Sequence, residues 1–153
     1  MFSRSELLSS ATAFCDAFAQ NKDLDTILSH FSTTHQVSAV EHGEKALLPF
    51  LGRSFEGLDG VRSYFHIIAA LLSYENMVFS EFTVDSEARR VACKGKAKFI
   101  WSETKESWTE TFAYMVDFDD EGKITDYQVW ADSGAAYLAR NGELDKVRKV
   151  CTI

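Results

Sequence analysis

The sequence predicts an α+β fold, with three N-terminal helices packed on one face of a curved, mainly antiparallel sheet. Apolar residues first recur at the three-to-four spacing of helices, from Leu7 to Leu72 with one interruption. From Met77 onward the period changes to two, the spacing of half-buried strands. Helices followed by antiparallel strands form two layers around one core. The chain is 153 residues long with 46% apolar content, and neither a repeat nor a low-complexity linker divides it. It is therefore expected to form a single domain over residues 1–153.

Ser3 and Glu6 have the spacing of a capping box, and Leu7, Leu8, Ala11, Phe14, Cys15 and Phe18 follow at helical spacing. Asp23 is placed to cap a shorter second helix carrying Leu24, Ile27, Leu28 and Phe31. Gln36 to Glu41 reads as a short strand, and Gly43 to Arg53 as a loop with the only proline, Pro49. A third helix starts between Gly57 and Gly60 and buries Val61, Tyr64, Phe65, Ile68, Leu71 and Leu72. Those glycines are not a phosphate loop, because its Lys and Ser/Thr are missing.

Strands are expected over Met77 to Asp85, Val91 to Trp101, Trp108 to Phe118 and Lys123 to Asp132, then a short helix over Gly134 to Leu138. Asp119-Asp120-Glu121-Gly122 has hairpin-turn composition. Lys94, Lys96 and Lys98 alternate with Cys93, Gly95 and Ala97, giving a cationic outer face that is either solvated or paired with neighbouring acids.

The 23 acidic and 16 basic residues leave a net charge of −7, which opposes nonspecific nucleic-acid binding. No apolar run is long enough to span a membrane. Glu6 interrupts what a secretory leader would need, so the cytoplasm is the expected location. Cys15, Cys93 and Cys151 show no metal-ligand spacing and read as free thiols; Cys93 as a nucleophile would require a histidine partner.

The stretch LPFLGRSFEGLDGVRSYF, residues 48–65, resembles the loop and third helix of SnoaL-like proteins in the nuclear transport factor 2-like superfamily. The ending DDEGKITDYQVWAD, residues 119–132, is similar to the final hairpin of that family. Helix order, strand order and length agree across nearly the whole chain. The resemblance implies a strongly curved sheet forming a cone with an internal cavity, and pairing of two chains through its outer face. Members include ketosteroid isomerases, polyketide cyclases, scytalone dehydratases and epoxide hydrolases, as well as noncatalytic binding modules.

By that resemblance a base lies just after the first strand and before the proline loop, the region of Glu41 and His42, and a functional Asp ends the last strand, at Asp132. Period two puts Gln128, Trp130 and Asp132 on one strand face, and Glu110 and Tyr114 interrupt the apolar face of the strand before it. Trp101, Trp108 and Phe112 would supply aromatic walls, with Tyr114 as an oxyanion donor. His66 sits beside the stripe of the third helix, either as a further lining group or as a packed or surface histidine. Asp132 is equally placed to cap the closing helix. His30 and His35 lie near a helix end and a polar loop. No metal and no cofactor are expected. The reading is a cofactor-independent isomerase, cyclase or dehydratase acting by proton abstraction on a small hydrophobic carbonyl compound of polyketide or terpenoid type. A homodimer that binds the substrate in its cavity is expected, and the alternative is a noncatalytic ligand-binding or protein-association domain.

Overall fold

The computed structural model describes residues 3–151. Helix α1 (Arg4–Ala19) opens on Ser3, whose hydroxyl accepts a hydrogen bond from the Glu6 N–H at 3.2 Å. Helix α2 (Leu24–Leu28) is capped by Asp23, which accepts from the Thr26 N–H at 2.9 Å. Strands β1 (Ser38–His42) and β2 (Ser54–Glu56) follow, then helix α3 (Gly57–Leu71). Four strands come next: β3 (Leu72–Asp85), β4 (Arg90–Trp101), β5 (Ser107–Phe118) and β6 (Ile124–Trp130). Helices α4 (Ser133–Arg140) and α5 (Leu144–Val150) close the described chain.

The six strands form one open sheet in the order β2-β1-β6-β5-β4-β3. Only β1 and β6 run parallel; the other neighbours are antiparallel. One face buries Ala39, Val91, Cys93, Ala97, Phe112, Tyr114, Tyr127 and Val129 beneath the helices. The opposite face carries the expected lysine row. Lys94 pairs with Glu81 at 2.6 Å and Lys98 with Glu75 at 3.3 Å, whereas Lys96 faces Val78 across the strands.

Several boundaries differ from those expected. Strand β3 begins at Leu72, straight out of α3, rather than at Met77. Two one-residue bulges break its period, between Glu75 and Val78 and between Ser80 and Thr83. Asn76 and Glu81 sit in these bulges with φ of 58° each, and the bulges bend the strand. Strand β6 ends at Trp130 instead of Asp132. Strand β2 is too short to show a period, and α5 carries only one fully buried residue, Leu144. Neither was foreseen.

The concave face needs one residue without a side chain. A Cβ placed on Gly95 would stand 2.3 Å from the ring of Phe112, its partner across β4 and β5. Phe112 is 4% exposed and lines the space under the helices, so the ring has no solvent to move into. Gly95→Ala is expected to lower stability by about 1–3 kcal/mol in urea unfolding, the usual cost of overpacking. An unchanged midpoint would show that the ring yields freely.

Candidate functional site

Between the concave face and the helices lies a cavity of about 80 Å³, space for a few waters or one small molecule. Its wall is aromatic and aliphatic except where carboxyl groups and tyrosine hydroxyls break it. Glu41 comes from β1, Tyr64 from α3, Glu110 and Tyr114 from β5, and Tyr127 from β6, while Asp132 follows β6.

Glu41 is 8% exposed. Alternation along β1 turns Ala39 and Glu41 inward, while Ser38, Val40 and His42 take the other face. Its Oε1 accepts the Tyr64 hydroxyl at 2.7 Å. Its Oε2 accepts nothing from the described residues. No buried side-chain polar atom among those residues lacks a partner, so this oxygen is reached from the cavity. Burial pushes the carboxyl up to about 7, the Tyr64 hydrogen bond pulls the other way, and the nearby Glu110 charge raises it further. At neutral pH this group is poised to take or give a proton.

Glu110 is built differently. Oε1 accepts the Trp108 indole N–H at 2.8 Å, and Oε2 accepts the backbone N–H of Asp132 at 2.9 Å. Burial raises its pKa against both hydrogen bonds. Asp132 itself is exposed at the cavity mouth, and its Oδ1 caps α4 by accepting from the Ala135 N–H at 2.9 Å. Burial holds the hydroxyls of Tyr64, Tyr114 and Tyr127 protonated, so each is a donor. The rings of Tyr114 and Tyr127 lie 5.0 Å apart, centroid to centroid.

The structure thus brings together Glu41, Trp108, Glu110, Phe112, Tyr114 and Asp132. It leaves five expected residues outside. His42, Gln128 and Trp130 lie on the outer face, because β1 and β6 run side by side with His42 opposite Trp130 and Val40 opposite Gln128. There the His42 ring stacks on Trp130 at 4.4 Å and its Nε2 meets Gln128 Oε1 at 2.8 Å. The inner face of β6 belongs to Tyr127 and Val129. Asp132 reaches the mouth only because β6 has ended and the chain has turned. Trp101 is buried at the end of β4, away from the lining, and His66 is exposed on α3 because Tyr64, Phe65 and Ile68 take the inward stripe.

His30 packs edge-on against Phe14 at 5.7 Å and lies outside the lining. The neighbour of Cys93 is Cys15, with the sulfurs 3.8 Å apart. His35, Asp119 and Asp120 bring three potential ligand atoms within 4.8 Å. Asp119 is already engaged there, accepting from the Ser32 hydroxyl and from the N–H groups of Glu121 and Lys123. Tyr64 and Tyr127 are the site residues that the sequence reading passed over. Their one signal was a hydroxyl on an otherwise apolar buried row.

No protein-family model and no curated protein sequence matches the chain. Solved structures do. A nuclear transport factor 2-like protein from Burkholderia pseudomallei superposes with a TM-score of 0.72 at 16% identity, over 88% of this chain and 95% of that one. A protein from Jannaschia sp. CCS1 described as a SnoaL-like polyketide cyclase gives 0.71 at 12% identity, over 89% and 92%. The BvnE pinacolase from Penicillium brevicompactum gives 0.66 at 17% identity, over 95% and 98%. The chain has the nuclear transport factor 2-like fold. The cone and internal cavity implied by the sequence resemblance are present; Glu41 lies inside β1, one residue before its end, and not after the strand. No helix among the described residues is long and apolar enough to cross a membrane.

The raised pKa of Glu41 has a stability consequence with a definite sign. The folded chain holds this proton more tightly than the unfolded chain, so the contribution of Glu41 falls as pH rises from 4.5 to about 7. The loss over that window is roughly 3 kcal/mol. Glu41→Gln keeps an acceptor for Tyr64 without the charge. In urea unfolding across this range, the variant should gain on the unaltered protein by that amount as pH rises. A constant difference between the two would show that Glu41 titrates normally.

Proposed function

We propose that this chain is a cofactor-independent isomerase, cyclase or dehydratase that moves a proton on a small hydrophobic carbonyl compound. The observation that carries the reading is Glu41, a buried carboxyl with a pKa of about 7 and one oxygen open to an apolar cavity. Glu41 takes the proton next to the substrate carbonyl, and Tyr64 fixes its orientation. Charge developing on the substrate oxygen is met by the hydroxyls of Tyr114 or Tyr127, which remain protonated donors. Glu41 then returns the proton to a second carbon. Neighbours of the same fold described as a polyketide cyclase and a pinacolase support this reading.

The cavity volume supports a second reading. About 80 Å³ is far below the roughly 300 Å³ of a drug-sized site, which favours binding of a very small ligand without turnover. Incubation with small ketones in D2O separates the two. Catalysed exchange of the α-hydrogens, lost by about 100-fold or more in Glu41→Gln, is expected for the enzyme. Ketone binding with no exchange above background establishes the second reading.

We also propose that the chain pairs through the outer face of its sheet. Val78 and Trp130 are 60% and 42% exposed there, and the Glu75 and Glu81 partners offset two of the three lysines that would otherwise repel across a twofold axis. Light scattering at micromolar concentration should give twice the 17.2 kDa chain mass. A monomer mass refutes the pairing.

A further inference from the structure

The wall of the cavity carries one sign of charge. Glu41, Glu110 and Asp132 are its carboxyl groups, and among the described residues no lysine, arginine or histidine lines it. Five phenylalanines, four tyrosines and Trp108 make up most of the remaining surface. Aromatic faces are negative and attract a cation placed over them, more so when water is excluded. A carboxylate ligand would find tyrosine hydroxyls but no opposite charge. The second oxygen of Glu41 adds an independent sign: it belongs to a side chain that is 8% exposed, accepts nothing from the described residues and is open to the cavity. Ionised and dry, that oxygen is costly unless a proton or a cation lies beside it.

We propose that the cavity is a receptor for a small organic cation, an alkylammonium group held between Glu41, Glu110 and the aromatic wall. The substrate of the proposed reaction then narrows to a carbonyl compound that also carries a protonated amine. The inference rests on that reaction only for the carbonyl half; the charge preference follows from the lining alone.

Tyr64 from α3, Glu110 from β5 and Tyr127 from β6 act on Glu41 directly, and the other titratable groups on the same wall are Tyr74 from β3, Tyr114 from β5 and Asp132 at the mouth. The tyrosines stay protonated, so Glu41 and Glu110 set the pH response. Cation affinity rises as Glu41 loses its proton around pH 7, and Glu110, raised by burial, shifts the response in the same direction.

Tetramethylammonium and tert-butanol have nearly the same shape and differ in charge, and pivalate supplies the anion. Titration of each into the full chain is followed by the indole N–H resonance of Trp108. Tetramethylammonium should bind about tenfold more tightly than tert-butanol at about pH 8, and the preference should shrink several-fold by about pH 6. Pivalate should not bind. Glu110→Gln should reduce the preference, and the pH series on the unaltered protein carries the same test if that substitution unfolds the chain. Equal binding of cation and alcohol, tighter binding of pivalate, or no binding of tetramethylammonium overturns the inference. Deuterium exchange of 1-(dimethylamino)propan-2-one and its neutral isostere 4-methylpentan-2-one is read separately. Cation preference without exchange of either ketone removes the reaction alone, and exchange without cation preference removes this inference alone.

Discussion

A single buried contact sets the terms for the rest of the molecule: the Tyr64 hydroxyl donating to Glu41 at 2.7 Å across the cavity wall. Burying a carboxyl among phenylalanines is unfavourable, and one hydrogen bond does not cancel that cost. The surrounding chain holds the group in place regardless. β1 is inserted between β2 and β6, so its backbone is paired on both sides. The Gly52 N–H donates to the Glu41 carbonyl at 2.8 Å, and Leu51 bridges to Glu41 from the proline loop. Gly52 has φ of 67°, and a Cβ there would stand 2.5 Å from the Gly43 carbonyl. The loop is glycine-bound because it must fold back tightly enough to clamp the strand that presents the acid.

A carboxyl can remain uncompensated only if the sheet curves away and leaves space in front of it. The two bulges of β3 provide the bend, and the Tyr74 hydroxyl fastens that strand to the Phe18 carbonyl at the end of α1, at 2.8 Å. Gly95 removes one side chain from the concave face so that Phe112 can lie flat against it. Stability elsewhere comes from the rows of fully buried residues on α1, α3 and β5. The site is therefore a local loss carried by a larger apolar core, the arrangement expected where a group is kept for its reactivity.

The layers were legible because periodicity is a property of burial. β5 shows this well: Trp108, Glu110, Phe112, Tyr114, Val116 and Phe118 all point inward, as alternation required, including the glutamate. β6 was misread by one residue for a physical reason. Period two grouped Trp130 with Gln128 and Asp132 toward the cavity, yet it lies outside, stacked on His42. Tyr127 and Val129 hold the inner face. The parallel pairing of β1 with β6 decides this, and parallel pairing joins segments far apart in the chain, where periodicity carries no information. β3 was shortened for a related reason, since each bulge shifts the alternation by one. The likeness of residues 48–65 to a known family survived because a clamp built from Pro49 and Gly52 leaves a local signature.

Asp132 shows how far position alone carries a functional argument. It lies where the resemblance expects a functional acid, and it lines the mouth of the cavity. Both of those facts have a structural cause. Its Oδ1 caps α4, and its own N–H is held by Glu110, whose other oxygen is fixed by Trp108. The glutamate thus acts as a strut that turns the chain out of β6 and starts the closing helix. An acid that caps a helix and stands in solvent already has a structural role. Glu41 has the opposite environment, with apolar walls, one donor and one free oxygen. Position singles out Asp132, whereas burial among apolar walls singles out Glu41, the one carboxyl on the cavity wall that no backbone N–H among the described residues holds.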